Sequence, residues 1–252
     1  MELLNWYFER RLESWGYGEC RIRYNLNYCQ GDGVAWYGKL DEADVLRMLP
    51  RLGLSASETA AIQRVVDDIN VSISDINHHY HHWNSMEVDV EVLNEDEMSG
   101  AETEAVDALL KALREDVVTR SRELESEGYS LIEASPYEPE ILRLYERENL
   151  VVEIRKQPVE DAGDPILGYM EPSDVFLLAR RMIRGEIERY ELEVRATWWG
   201  KEESISIGPT DDAPNGRHWV QLAREALSDI ASELRPQVPH AARPAALQAR
   251  AA

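Results

Sequence analysis

Four histidines lie in one short stretch of this 252-residue chain, Asn77-His78-His79-Tyr80-His81-His82-Trp83. Imidazole is a common ligand of zinc, copper and nickel, so the stretch suggests a metal site. Successive side chains alternate between the two faces of a strand, however, so at most two of these histidines could share an ion. A complete site would need ligands from elsewhere, such as Asp75 or Glu87. We therefore expect a polar strand end, with no metal or other cofactor.

Cys29 is the second group that could do chemistry, because a thiolate is a strong nucleophile. His78 or His82 could serve as its base, with Asp32 orienting the base. No spacing in the sequence requires this arrangement, and an inert thiol is the alternative. The other cysteine is Cys20, and the two do not form a Cys-x-x-Cys pair. Two cysteines are too few for a disulfide framework, which favours ordinary thiols in a reducing compartment.

A glycine-rich segment, Gln30-Gly31-Asp32-Gly33, follows Cys29 directly. Glycines can let backbone amides approach a phosphate. The segment lacks the Gly-Lys-Ser/Thr of a P-loop, however, and the Gly-x-Gly-x-x-Gly of a dinucleotide-binding fold. It also lies between two predicted strands rather than before a helix. Because Asp-Gly favours tight turns, we expect a hairpin connection here.

The segment Tyr28-Cys29-Gln30-Gly31-Asp32-Gly33-Val34-Ala35-Trp36, followed by a histidine- and tyrosine-rich strand, resembles a group of uncharacterised proteins encoded by phages and prophages. Those proteins carry an aromatic residue, Cys and Ser before Gln-Gly-Asp-Gly, and then a small and an aromatic residue. Here Cys29 meets Gln30 without the intervening Ser. The likeness covers about the first 95 residues. It implies a phage-type protein but no activity and no catalytic residues.

Acidic residues are the most informative feature of the composition. The chain has 48 Asp and Glu against 27 Lys and Arg, a net charge of −21. Residues 87–127 alone hold 14 acidic and 4 basic residues, a net charge of −10. Such carboxylates could imitate the phosphates of a duplex, and the alternative is a solvated face that aids solubility. The predicted partner-binding residues are Glu87, Asp89, Glu91, Glu95, Asp96, Glu97, Glu102, Glu104, Asp107, Glu115 and Asp116.

The same charge argues against several classes of partner. Nucleic-acid binding requires clustered Lys and Arg, so we expect no direct binding to nucleic acid or to an anionic membrane. No run approaches the roughly 20 apolar residues that span a bilayer, and the first residues lack the basic start of a secretory signal. We expect a cytoplasmic protein, in the host cytoplasm if it is phage-encoded. Its partner would be a basic protein surface, and a homodimer is compatible with the sequence.

Two internal similarities indicate a duplication. Residues 33–45 align without gaps on residues 163–175, and the alignment pairs Asp44 with Asp174 at the start of an apolar helix. Residues 12–17 resemble residues 124–129, and in both segments a helix is predicted to end at the glycine. The two alignments differ in offset, so the intervening segment was lengthened or the first match is chance.

Hydrophobic periodicity predicts alternating helices and hairpins. The predicted helices are 2–14, 41–49, 57–68, 101–127, 138–148, 174–184 and 218–234. The predicted strands include 21–28, 34–38, 71–76, 86–93, 150–156, 190–197 and 204–208. Hairpin signals outnumber strand-helix-strand alternation. The sequence therefore favours an α+β fold of two related halves, each a small, mostly antiparallel sheet with packed helices, joined by a long acidic helix.

The predicted domain organisation follows from these elements. An N-terminal α+β unit spans residues 1–100, the linking acidic helix spans 101–127, and a C-terminal α+β unit spans 128–235. Residues 236–252 consist mostly of Ala, Arg, Pro and Gln without apolar periodicity, which is typical of a disordered tail.

Three functions are compatible with these features. The first is an acidic phage-type interaction protein that inhibits a nucleic-acid-binding enzyme of host defence by mimicking nucleic acid. The second is a small enzyme that uses Cys29, His78, His82 or a bound metal, and the third is an accessory phage protein without an enzymatic role. A contiguous carboxylate surface would favour the first, a pocket gathering Cys and His the second, and the absence of both the third.

The histidine stretch generates one prediction. Protein purified without a nickel column is expected to contain no stoichiometric transition metal, because strand alternation splits the ligands between two faces. Elemental analysis of the purified chain measures this directly. About one zinc per chain, lost on changing His78 and His82 to Ala, would overturn the prediction and support the enzyme hypothesis.

Overall fold

The computed structural model describes residues 3–75, 86–94, 98–159 and 170–237. The chain forms two units, and the boundary between them falls after Tyr129. The first unit comprises residues 1–129 and 166–170, and the second comprises residues 130–165 and 171–252. Each contains one four-stranded antiparallel sheet whose strands follow chain order. The predicted α+β fold, with two halves joined by a long helix, is confirmed.

The first unit combines four helices with the first sheet. The helices are α1 (Leu3–Trp15), α2 (Glu42–Met48), α3 (Ala56–Val65) and α4 (Gly100–Glu133), and the strands are β1 (Arg21–Asn25), β2 (Gly33–Leu40), β3 (Ile69–Asp75) and β4 (Met86–Val92). Local signals start two of the helices. Asp41 caps α2 by accepting the Asp44 N–H, and Ser55 and Glu58 form a capping box on α3.

Aromatic side chains form much of the core of the first unit. Phe8 packs edge-on against Tyr24 with ring centroids 5.2 Å apart, and Tyr17 packs against Trp36 at the same distance. Phe8, Tyr17 and Trp36 are completely buried. The Ser121 hydroxyl of α4 donates a hydrogen bond to the Val34 carbonyl of β2. The long helix is therefore packed onto the sheet of this unit along its own apolar stripe.

The long helix continues past the glycine at which it was predicted to end. A Cβ on Gly128 would lie 2.5 Å from Leu26 Cδ1 and 2.7 Å from Phe8 Cζ. Gly128 is therefore a site of close approach between α4 and its neighbours, and α4 extends to Glu133. The matching prediction for α1 is correct, because that helix ends at Trp15 and Gly16 has a φ of 91°.

The second unit combines the second sheet with two further helices. Its elements are β5 (Glu140–Arg147), β6 (Leu150–Gln157), α5 (Pro172–Ile183), β7 (Glu188–Trp198), β8 (Lys201–Asp212) and α6 (His218–Gln237). One face of the sheet, including Tyr190, Leu192 and Val194, packs against Ala226 and Ile230 of α6. The 11- and 12-residue strands β7 and β8 are joined by the two-residue turn Trp199-Gly200, in which both residues have positive φ.

The predicted helix over residues 138–148 is wrong, because this segment forms strand β5. Ile141, Leu144 and Tyr145 have the spacing of a helical stripe, but all three are exposed. β5 pairs with β6 through Glu148-Asn149, a two-residue turn in which Glu148 has a φ of 50°. Tertiary pairing with the apolar β6 therefore overrides the local helical pattern.

The second unit follows the order strand, strand, helix, strand, strand, helix, and the first unit has this order with α1 added before it and α3 inserted after α2. Asp44 lies in the first turn of α2 and Asp174 in the first turn of α5, and each helix follows the second strand of its sheet. Both aspartates therefore lie at the start of a helix, as predicted. The aligned strand of the second copy, residues 163–169, lies outside the described residues, and so do His78, His79, His81 and His82.

The β5–β6 hairpin generates a prediction. Glu148→Gly is expected to stabilise the chain by about 0.5–1 kcal/mol, because glycine adopts positive φ without a Cβ penalty. Thermal and chemical denaturation followed by circular dichroism measure the change. The matched control Glu146→Gly lies within β5, where glycine should destabilise by a similar amount. If both variants destabilise the chain equally, the turn assigned here is incorrect.

Candidate functional site

The carboxylates of β4 form a row on one face of that strand. Glu87, Asp89 and Glu91 are exposed, and they alternate with the more buried Val88 and Val90, as the sequence predicts. Side chains two residues apart in a strand lie about 7 Å apart on the same face. Because β4 is the last strand in the order of the first sheet, this row follows a sheet edge. Glu95, Asp96 and Glu97 lie outside the described residues.

Two groups of carboxylates lie on different sides of α4. Glu104, Asp107 and Glu115 are exposed, and at 100° per residue they share the side opposite the buried Leu109 and Leu113. They span about 16 Å at 1.5 Å per residue. The second group flanks the buried stripe, and its members are Glu102, Asp116, Glu123 and Glu127.

An arginine of α1 neutralises two carboxylates of the second group. Arg11 Nε donates to Glu127 Oε2 at 2.9 Å, and its Nη2 donates to Glu123. Tyr7 donates to the same Glu127 carboxylate at 3.1 Å. The Arg11 and Glu127 side chains are only 13% and 11% exposed, so solvent screens this pair weakly. Glu123 and Glu127 therefore hold α1 against α4.

Asp116 and Glu102 also bind arginines of the first unit. Asp116 accepts hydrogen bonds from Arg51 and from the Tyr17 hydroxyl, the latter at 2.7 Å. Glu102 accepts from the Ser99 N–H and hydroxyl and pairs with Arg64 at 3.1 Å. The hydrogen bonds from Ser99 and Arg64 lower the pKa of Glu102 to about 2. Both residues were predicted to bind a partner, but the structure shows that they also hold α4 within the first unit.

An interaction of α4 with the sheet edge places the helix beside β4. Arg114 donates from Nε and Nη2 to the Val88 carbonyl, at 3.4 and 3.3 Å. A carbonyl at the free edge of a sheet has no strand partner, and the guanidinium supplies one. The exposed carboxylates of β4 and α4 therefore belong to two elements that are in direct contact.

The segment between β1 and β2 is organised by Asp32. β1 ends at Asn25 and β2 begins at Gly33, so a seven-residue loop replaces the tight hairpin that was predicted. Asp32 Oδ2 accepts the N–H groups of Asn27 and Cys29 at 2.9 and 3.0 Å, and it accepts the Tyr129 hydroxyl of α4. In a tight hairpin, these backbone N–H groups would pair between the two strands. In the longer loop, the Asp32 carboxylate accepts them instead.

The hydrogen bonds of the Asp32 cluster favour the protonated form of Cys29. The Cys29 thiol donates to Asp32 Oδ1 at 3.0 Å, and this hydrogen bond, with burial and the Asp32 charge, raises the pKa of Cys29. Burial acts to raise the pKa of Asp32. The hydrogen bonds from Tyr129, Cys29 and Asn27 outweigh burial and lower that pKa to about 2. Burial and the bond to Asp32 raise the pKa of Tyr129 to about 12. Cys29 is therefore a thiol rather than a thiolate at neutral pH.

The other cysteine lies in a cleft of the first unit. The cleft has a volume of about 630 Å³, and its lining includes Cys20, Asp44, Glu19 and Arg47. Burial, together with the charges of Asp44 and Glu19, raises the pKa of Cys20 to about 12. No histidine of the described residues lines the cleft. Among the described residues, this cleft therefore brings Cys20 together with carboxylates and arginines.

Two further properties concern only the part of the chain that the structure describes. Its His, Cys, Asp and Glu residues form no group of three that could hold a metal ion. None of its helices combines the length and the apolar character that a bilayer crossing requires.

Tyr129 is the residue of this region that sequence reasoning missed. Its hydroxyl bonds Asp32, and its ring packs 4.6 Å from the ring of Tyr28. The similarity of residues 12–17 to residues 124–129 includes Tyr129 only as part of a predicted helix end. Because Tyr129 is separated from Asp32 by 97 positions, only the packing of α4 brings the two together.

Comparison with known proteins gives no assignment. No family profile, no curated protein and no solved structure matches this chain.

The Asp32 cluster generates a pH prediction. The pKa of Asp32 is about 2 in the fold and about 3.9 in an unfolded chain, so its contribution is complete above pH 4 and is lost as the pH falls towards 2. Asp32→Asn should destabilise the chain by about 1–2 kcal/mol at pH 7, and this difference should shrink between pH 4 and pH 2. Urea denaturation at several pH values measures it.

Asp89→Asn is the matched control for this prediction, because Asp89 is an exposed aspartate of the same unit. Its stability should remain within about 0.5 kcal/mol of the wild type. A difference between wild type and Asp32→Asn that stays constant from pH 7 to pH 2 would show that the Asp32 charge does not stabilise the loop.

Proposed function

We propose that the first unit is an acidic interaction module that occupies the basic groove of a nucleic-acid-binding protein. One observation carries this proposal. The structure separates the carboxylates that arginines neutralise from those that remain exposed. Glu87, Asp89, Glu91, Glu104, Asp107 and Glu115 have no Lys or Arg of the described residues within 4.0 Å. Carboxylates without a cationic partner in the same chain are the ones that can meet a cationic surface.

The spacing of the exposed carboxylates supports mimicry of a phosphate backbone. The step of about 7 Å between the β4 carboxylates is close to twice the 3.4 Å axial rise per phosphate of one duplex strand. Both rows lie on packed secondary structure, so the charges keep their positions without an ordering cost on binding. The resemblance to phage-encoded proteins makes an enzyme of the host, and of its defence in particular, the partner in this proposal.

Three charge-reversal triples test the proposal. The first replaces Glu87, Asp89 and Glu91 with Lys, and the second does the same to Glu104, Asp107 and Glu115. The matched control replaces Glu225, Asp229 and Glu233, which are exposed on α6 in the second unit. Each triple changes the net charge by the same amount. All three should fold, because exposed charges contribute little to stability.

The measurement is retention of host-lysate proteins by the immobilised chain, with duplex DNA as competitor. The wild type and the control triple should retain proteins that duplex DNA releases, and the two acidic triples should lose them. Retention should also fall as salt rises, because the Debye length shrinks from about 30 Å at 0.01 M to about 8 Å at 0.15 M. If the acidic triples behave like the wild type, the surface only aids solubility. If the control triple loses as much, net charge alone explains binding.

A further inference from the structure

A cleft in the second unit gathers arginines. Its volume is about 690 Å³, within the roughly 300–1,000 Å³ of small-molecule sites. Its lining residues are Leu142, Arg143, Arg217, Trp219, Val220, Gln221 and Arg224. Three arginines therefore line one cleft of a chain whose net charge is −21.

The fold brings the cleft residues together from two elements. Arg217, Val220, Gln221 and Arg224 follow the spacing 0, 3, 4 and 7, so they line one side of α6 from the residue that precedes it. Arg143 comes from β5, where the pairing with β6 shifts register between Ile141 and Arg143. Such irregularities at a sheet edge redirect side chains.

Two apolar residues of the cleft are held in place by the core of the second unit. Trp219 and Leu142 are partly buried and pack against the hydrophobic cluster that joins the sheet to α6. Trp219 therefore lines the cleft with an apolar side chain whose position is set by packing. The cleft combines this side chain with charged groups at its wall.

Some arginines of the second unit have carboxylate partners, and others, including Arg147 and Arg235, have none among the described residues. Arg184, Arg189 and Arg195 pair with Glu186, Asp211 and Glu193 at 2.6 to 2.9 Å. Arg143, Arg217 and Arg224 have no carboxylate of the described residues within 4.0 Å. In a chain with such an excess of carboxylates, three unpaired guanidinium groups around one cavity point to an anionic ligand. Guanidinium groups bind phosphoryl oxygens through paired N–H donors.

We propose that this cleft binds a small organic diphosphate. The three guanidinium groups match the charge of about −3 that two phosphoryl groups carry near neutral pH. Trp219 contacts the organic part of the ligand, and a planar ring is the shape that packs best on an indole. The overall negative charge of the chain repels anions elsewhere, so anion binding reports on this local site.

Isothermal titration of the full chain tests the proposal with inorganic pyrophosphate, ADP and adenosine. Pyrophosphate and ADP should bind at one saturable site, ADP more tightly, and adenosine should not bind. The double variant R217Q/R224Q should lower both affinities by at least about tenfold. Arg235→Gln is the matched control, because Arg235 is exposed in the last turn of the same helix. Its affinities should stay within twofold of the wild type.

The variant Trp219→Leu distinguishes the contribution of the organic part of the ligand from that of its phosphoryl groups. It should lower the affinity for ADP severalfold and leave the affinity for pyrophosphate unchanged. Thermal melting followed by circular dichroism checks that each variant is folded. Absence of saturable binding by pyrophosphate and ADP, or an equal loss in Arg235→Gln, would overturn the proposal. A glutamate-rich peptide or a single-stranded oligonucleotide that binds more tightly than ADP, and fails to bind R217Q/R224Q, would assign the cleft to a macromolecule instead.

Discussion

The first unit depends on the neutralisation of carboxylates that border the apolar stripe of α4. This helix buries Leu109, Leu113 and Leu124 while Asp116 and Glu127 lie at the margin of the same stripe. Burying a charge without a partner is costly, so the stripe can pack only if cations reach these carboxylates. Arg11 and Arg51 supply them from α1 and from the turn after α2. Trp15 extends the same cluster, because the guanidinium groups of Arg11 and Arg120 lie over its ring at 4.3 and 4.8 Å.

This constraint divides one acidic segment into two kinds of charge. Carboxylates beside the stripe form ion pairs within the first unit. Those on the opposite side of α4 and on β4 are exposed to solvent. The packing of α4, rather than the composition of the segment alone, therefore determines which carboxylates form the exposed acidic surface. It explains why the high charge density of residues 87–127 is compatible with a folded helix, since close arginines offset the repulsion where the chain is most crowded.

Much of the architecture could be predicted from local patterns, because capping residues and apolar periodicity act over a few positions. The helices predicted to begin at residues 41 and 57 begin at Glu42 and Ala56, and the predicted strand 86–93 forms β4. Features that depend on distant residues could not be predicted. Arg11 meets Glu127 across 116 positions, and β5 is a strand only because β6 is beside it. The arginine cleft has the same origin, since Arg143 and Arg224 approach one another only in the folded second unit.

Two of the four outer strands in the described sheets, β4 and β5, differ in how well they resist unwanted association. An exposed strand edge can pair with another chain, and charges on that strand oppose such pairing. Two copies of β4 placed edge to edge would bring three carboxylates of each copy together, so this edge is protected against self-assembly. β5 exposes Ile141, Leu144 and Tyr145 between its charged residues, which makes it the weaker edge. If the chain aggregates under stress, the growth of ordered β-structure begins at β5 rather than at the acidic strand.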